Sequence, residues 1–223
     1  MPPSDSQLAT YYAARAAEYE RIYHKPERQA DLQRLRKLIP AYFAECNVLE
    51  IACGTGYWTQ FIATAASSIT ALDINPQTLA IARDKPLPPQ RVRFEVADVH
   101  ALYPQYQSYS GAFAGFWWSH LKRSERRAFL QNLHRALTPG AVVVLLDNRY
   151  VEGSSTPVSH TDAGGNTYQQ RALDDGSTHI VLKDFPTQAE LLADIGADAM
   201  GVEYTALDYY WVMKYEFRSR GVT

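Results

Sequence analysis

One segment constrains this chain more than any other: Val48-Leu49-Glu50-Ile51-Ala52-Cys53-Gly54-Thr55-Gly56. A short apolar run (48–51) empties into a turn carrying two glycines, and residues 57–66 then have the pattern of a helix. Glycine permits tight turning and lets a ligand approach the backbone closely. The start of the following helix presents free N–H groups. Asp73 closes the next apolar run, where a carboxylate can accept hydrogen bonds from both ribose hydroxyls. The glycines alone would suit a plain strand–turn–helix equally well. With Asp73 at the end of the second strand, the combination points to a nucleoside.

The alternation continues along the chain. The pattern predicts strands at 69–73, 92–97, 111–118 and 141–147, with helices at 76–83 and 125–137 between them. This regular alternation predicts a mostly parallel sheet covered on both faces, a Rossmann-like α/β fold. Before it, 5–24 reads as a helix capped by Asp5 or Ser4, and a second helix begins at Pro26 and stops at Pro40. After Asp147 the pattern breaks. Residues 151–167 are rich in Gly, Ser and Thr with no period, and 168–173 and 177–182 flank Asp174-Asp175-Gly176 as a hairpin. A last helix, 188–195, is followed by two strands, 201–207 and 209–218, the second with one buried and one wetter face. The expected organisation is one domain: an N-terminal helical lid (1–40), a nucleoside-binding core (41–150), a substrate-cover insert (151–185) and a C-terminal helix with a strand pair (186–223).

The nucleoside is narrowed by charge. A dinucleotide fingerprint wants a small third residue, G-x-G-x-x-G/A. Here Gly54-Thr55-Gly56-Tyr57-Trp58-Thr59 ends in Thr59. Glu50, just before the turn, would repel a pyrophosphate and suits a cationic ligand. In these residues the sequence resembles the class I S-adenosylmethionine-dependent methyltransferases. Their first motif is a strand ending in Asp/Glu-x-Gly/Ala-x-Gly-x-Gly, which Glu50-x-Ala52-Cys53-Gly54-x-Gly56 follows. The resemblance runs over about residues 45–147. It implies a seven-stranded sheet, mostly parallel with an antiparallel C-terminal strand, and S-adenosyl-L-methionine as the cofactor.

The resemblance also assigns residues. Glu50 and the backbone of Ala52, Cys53, Gly54 and Gly56 would face the methionine part of the donor. Asp73 would hold the ribose and Ile74 would pack on adenine, with Asp98 and Val99 as the adenine contacts. Asp98 also suits a structural role, capping the turn after it. Phe116, Trp117 and Trp118 end the fourth strand, where the family lines the sulfonium and the acceptor; the two tryptophans fit a plain core as well. Tyr11, Tyr12, Tyr19 and Tyr23 on the first helix are placed to close over the donor, or to serve as a packing face. Tyr12 and His120 are the candidate catalytic residues, and Trp118, His120, Asn148, Arg149 and Tyr150 the candidate acceptor contacts.

Composition removes other classes. The 223 residues carry 22 Lys and Arg against 24 Asp and Glu, a formal net charge of −2, with no basic stripe of the kind nucleic-acid binders show. The densest basic stretch, Lys122, Arg123, Arg126 and Arg127, is interrupted by Glu125 and reads as a solvated helix face. The Asn/Asp-Pro-Pro-aromatic signature of nucleic-acid amino-methylating enzymes is missing after the fourth strand. The longest wholly apolar run, 141–146, is far short of the ~20 residues that span a bilayer. Two cysteines make no disulfide framework, and the scattered histidines predict no metal site. The expectation is a cytoplasmic monomer or homodimer that methylates an O, N or S atom of a small-molecule acceptor by in-line displacement. No nucleic-acid or membrane partner is expected. The alternatives are an NAD(P)-dependent oxidoreductase, which shares the glycine turn and Asp73, and a non-catalytic S-adenosylmethionine-binding protein.

Overall fold

A computed structural model of the chain describes residues 5–102 and 108–218, so the Ser4 cap lies outside the described residues. Helix α1 (Asp5–Arg15) passes through a 3-10 stretch (Ala16–His24) into α2 (Gln29–Tyr42). Then come β1 (Asn47–Ile51), α3 (Thr59–Ile62), β2 (Ser68–Asp73), α4 (Pro76–Arg83), β3 (Val92–Val96), β4 (Tyr109–Gly115), α5 (Arg126–Arg135) and β5 (Leu137–Asn148). An insert of β6 (Val158–Thr161), β7 (Thr167–Ala172) and β8 (Thr178–Leu182) precedes α6 (Gln188–Ile195), β9 (Ala199–Ala206) and β10 (Tyr210–Phe217).

The main sheet has seven strands in the order β3-β2-β1-β4-β5-β10-β9. The first five pair parallel, while β10 is antiparallel to both of its neighbours. Successive side chains of β1 enter opposite cores. Leu49 and Ile51 pack with α5 and α6, whereas Val48 packs with α2 and α3. A strand buried on both faces needs a continuous apolar run, and 48–51 supplies one apart from Glu50. The chain leaves β1 for β2 on one side and later returns to β4 on the other. This reversal opens a crevice at the carboxyl ends of β1 and β4, the place where open α/β sheets bind ligands.

Several local expectations change. The first helix does not run to residue 24: after Arg15 the chain winds as a 3-10 helix. Three residues per turn put Glu20 and Tyr23 on one side. Glu20 accepts from the Thr55 hydroxyl (2.6 Å) and Lys85 (2.8 Å), and Tyr23 stacks on Tyr57 with ring centres 3.5 Å apart. Tertiary contacts thus override the helical period. Pro40 does not stop α2, because it falls in the last turn and its carbonyl still accepts from Phe43. The expected hairpin forms as β7 and β8 around Asp174-Asp175-Gly176, and β6 adds a third strand along β7 that the sequence pattern did not show. β10 is buried on both faces over most of its length because Trp211, Met213 and Tyr215 enter one core while Tyr210 and Val212 enter the other. Nor is the basic stretch wholly solvated: Arg126 is buried against Asp184, and Arg123 pairs with Asp184 (3.1 Å) and Glu190 (2.7 Å).

Candidate active site

Two cavities lie at the carboxyl end of the sheet. The first, about 110 Å³, is lined by Ala52, Gly54, Asp73, Ile74, Asp98 and Val99, with Gly115, Phe116 and Trp117 from the end of β4. The turn after β1 is tightly made. Ala52, Gly54 and Gly56 all take left-handed backbone angles, with φ of 50°, 56° and 73°. At Gly56 a side chain would also meet the Ala82 methyl at 3.1 Å, so both the backbone angle and the tight space favour glycine there. Asp73 fastens the turn, accepting from the N–H of Gly54 (2.8 Å), the N–H of Asn75 (2.8 Å) and the Thr78 hydroxyl (3.1 Å). Burial raises its pKa, and these hydrogen bonds oppose the rise.

Glu50 lies beneath the turn and lines neither cavity. It is 1% exposed, and its Oε2 has no hydrogen-bond partner among the described residues. Burial, helped by nearby Asp73, pushes its pKa up to about 8, so the free protein holds it largely protonated at neutral pH. The expectation of a fixed negative charge at this strand tip is therefore corrected: Glu50 ionises readily only when a cation joins it. Cys53 and Gly56 also line neither cavity; their part in the site is the shape of the turn. Ile74 is 47% exposed at the cavity edge. The Asp98 carboxylate accepts from the His100 N–H (2.8 Å) and caps the 3-10 turn Val99–Ala101 while also facing the cavity.

The second cavity, about 310 Å³, lies among the lid, the insert and the end of β5. Tyr12, Tyr19, Phe116 and His120 border both cavities. Tyr12 and Tyr19 thus face both cavities, buried Tyr11 lines the second alone, and Tyr23 is a buried anchor of the lid. Phe116 takes a left-handed φ of 60°, which ends β4 and turns its ring into the wall. Tyr12 and His120, 108 residues apart, meet at 2.7 Å. His120 Nδ1 lies 2.6 Å from the Leu182 carbonyl. A carbonyl can only accept, so Nδ1 carries the proton and Nε2 accepts from the Tyr12 hydroxyl. Burial, with Lys183 and Arg171 nearby, holds the His120 pKa well below its ordinary value, and burial raises that of Tyr12. Both groups are neutral near pH 7.

Beneath the second cavity sits an ion pair that sequence reading missed. Asp147, at the end of β5, accepts from Lys183 (2.9 Å) and from the N–H groups of Ser119 (2.9 Å) and Asn148 (2.7 Å). An acid closing a long apolar strand was the available signal. Lys183, Arg28, Arg171 and Gln169, which also line this cavity, gave none, because they come from separate segments. Three expected acceptor contacts lie elsewhere. Trp118 is fully buried in the core, with the Arg126 guanidinium 5.5 Å from its ring centre, because the 3-10 turn after Phe116 swings it inward. Arg149 is spent on the Leu207 carbonyl, and Tyr150, 45% exposed, packs on Phe185 outside the cavity. Asn148 does line it and accepts from Arg28 (3.2 Å).

The family described as "Methyltransferase domain" matches residues 48–140. The solved structure described as "DhpI-SAM-HEP complex" is 26% identical with a TM-score of 0.77, covering 96% of this chain and 99% of that one. The malonyl-[acyl-carrier protein] O-methyltransferase of Enterobacter lignolyticus (strain SCF1) is 27% identical over 143 residues, 64% of this chain and 54% of the relative. The magnesium-protoporphyrin O-methyltransferase of Rhodobacter capsulatus is 38% identical over 64 residues, 27% of this chain and 28% of the relative. The chain thus spans about half the length, or less, of these curated relatives. None of these similarities supports the nicotinamide alternative. The glycine turn, the strand order and the structural match agree: the chain carries a methyltransferase domain over residues 48–140, on the Rossmann-like fold of the S-adenosylmethionine-dependent methyltransferases it resembles.

Proposed function

We propose that the chain transfers a methyl group from S-adenosylmethionine to an oxygen of a small-molecule acceptor. The observation that carries the reading is the wall of Tyr12, Tyr19, Phe116 and His120, shared by the two cavities. A donor in the first cavity and an acceptor in the second would meet there. The names of the matched relatives, both O-methyltransferases, favour oxygen as the atom methylated.

The residues present fit the donor. The orphaned Glu50 Oε2 is a buried acceptor without a partner, suited to a cationic amino group reached through the turn. Asp73 would accept from ribose hydroxyls, Ile74 and Val99 would sandwich adenine, and Asp98 has an oxygen left for its exocyclic amine. When bound, the donor supplies an activated methyl group on a sulfonium, so that the protein has mainly to align and to exclude water. Tyr19 and Phe116, on the wall of both cavities, would supply aromatic rings beside the positive sulfur. Tyr12, oriented by His120, steers the acceptor. The 3-10 stretch carrying Tyr19 is fastened over the turn by Glu20, which excludes water from the wall.

The test is calorimetry with S-adenosylmethionine and S-adenosylhomocysteine, followed by methyl transfer to a panel of oxygen acceptors. Micromolar binding with turnover is expected. Absence of binding at high micromolar concentration refutes the reading, and binding without turnover on any acceptor favours a non-catalytic role.

A further inference from the structure

The second cavity holds more positive charge than its surroundings return. Lys183, Arg171, Arg28, Lys25 and Arg15 line it, with Glu18 as the carboxylate among the lining residues. Lys183 pairs with Asp147. Among the described residues, the other four have no carboxylate within ion-pair distance, and neutral acceptors hold them instead. Arg28 donates to Asn148 Oδ1 (3.2 Å) and Ser154 Oγ (3.1 Å), and Lys25 to the Ser154 carbonyl (2.9 Å). Arg171 donates to Gln169 Oε1 (2.7 Å), and Arg15 to the Tyr11 hydroxyl (3.0 Å). These partners aim the cations without neutralising them. Glu18 lies 3.5 Å from Arg21, so its charge is already shared. Arg171 and Arg28 are near enough to Lys183 to add to the effect of burial in lowering its basicity. Like charges gathered in a partly desolvated pocket repel, and an anion placed among them relieves that repulsion.

We propose that the acceptor is a small molecule presenting an oxyanion, a carboxylate, phosphonate or phosphate monoester, held among Lys183, Arg171 and Arg28. The inference rests on the methyl-transfer reading above. It also accounts for the neutral state of Tyr12 and His120. An acid oxygen already carries its lone pair and no proton. As the new O–C bond forms, the S–C bond of the donor breaks and its electron pair stays on sulfur. The acceptor loses one negative charge and no proton is released, so no strong base is needed at the wall. The ester formed is held less tightly by the same cations, which favours its release.

The experiment is calorimetric titration of the full chain, with S-adenosylhomocysteine present, using butyrate, ethylphosphonate and ethyl phosphate beside the neutral 1-butanol and the cationic butylamine. At least one acid binds about tenfold or more tightly than butanol, and Arg171→Gln weakens it by about 10–100-fold, as for loss of a charge-assisted hydrogen bond. S-adenosylhomocysteine affinity is unchanged in that variant. The three acids separate the carboxylate, phosphonate and phosphate sources. Should a variant not fold, competition of the bound acid by inorganic sulfate in the unmodified protein reads the same property. The inference is overturned if none of the acids binds, if butanol or butylamine binds as well, if Arg171→Gln and Arg28→Gln both leave acid affinity unchanged, or if sulfate does not compete. Failure of S-adenosylhomocysteine to bind instead overturns the methyl-transfer reading, whatever the acids do.

Discussion

The two cavities share a wall but are assembled in opposite ways. The first is made mostly from turns at the ends of neighbouring parallel strands, which the sheet holds in place, and the lid adds only Leu8, Ala9, Tyr12 and Tyr19 along one side. The second is made from the lid, the end of β5 and the insert, segments far apart in the chain: Tyr12 meets His120 across 108 residues and Arg28 meets Asn148 across 120. The first is shaped by glycine and backbone N–H groups, the second by charged and aromatic side chains. A scaffold that fixes one site rigidly and builds the other from additions can change its acceptor without disturbing its donor.

That contrast can be broken by substitution. The largest effect is expected at Asp147, buried under the second cavity. Asp147→Ala strands the Lys183 charge and two backbone N–H groups, and should lower unfolding free energy by about 3–5 kcal/mol in denaturant titration. A loss under about 1 kcal/mol would mean that the pair does not support this half. Asp73→Ala should weaken S-adenosylhomocysteine binding by about 1–3 kcal/mol, since it removes a charged acceptor, while leaving anion binding in the second cavity intact. Equal losses in both would dissolve the distinction. Glu50 gives the smallest effect. Its raised pKa means that the free protein holds a proton which a bound cation must displace. Affinity for S-adenosylhomocysteine should therefore rise with pH, by at most about tenfold per unit, and level off above about 8. In Glu50→Gln the profile should be flat over the same range. A wild-type profile that is flat or falls would remove Glu50 from the donor site.

Legibility in the sequence divides along the same line. The turn at Glu50–Gly56, Asp73 and the strand alternation are local patterns, and local patterns report the sheet and the first cavity. Thr187 caps α6 as its place in the sequence suggests, and Glu190 returns the second of the two reciprocal hydrogen bonds. The second cavity leaves few traces. Lys183 stands out in no local pattern until the end of β8 brings it against Asp147. Trp118 departs from its expected place because one left-handed residue, Phe116, redirects the chain beyond β4, and a non-glycine residue gives no warning of such an angle. The 3-10 lid has the sequence of a long α-helix, but its winding answers to Thr55, Lys85 and Tyr57 rather than to its own period.

A crystal structure of the chain with S-adenosylhomocysteine and a small acid bound together would probe the shared wall most directly. The thioether sulfur should lie at the wall of Tyr12, Tyr19, Phe116 and His120, the ribose on Asp73, and the acid oxygen on the far side among Lys183, Arg171 and Arg28. A nucleoside seated away from Asp73, or a sulfur facing solvent instead of that wall, would contradict the shared-wall geometry.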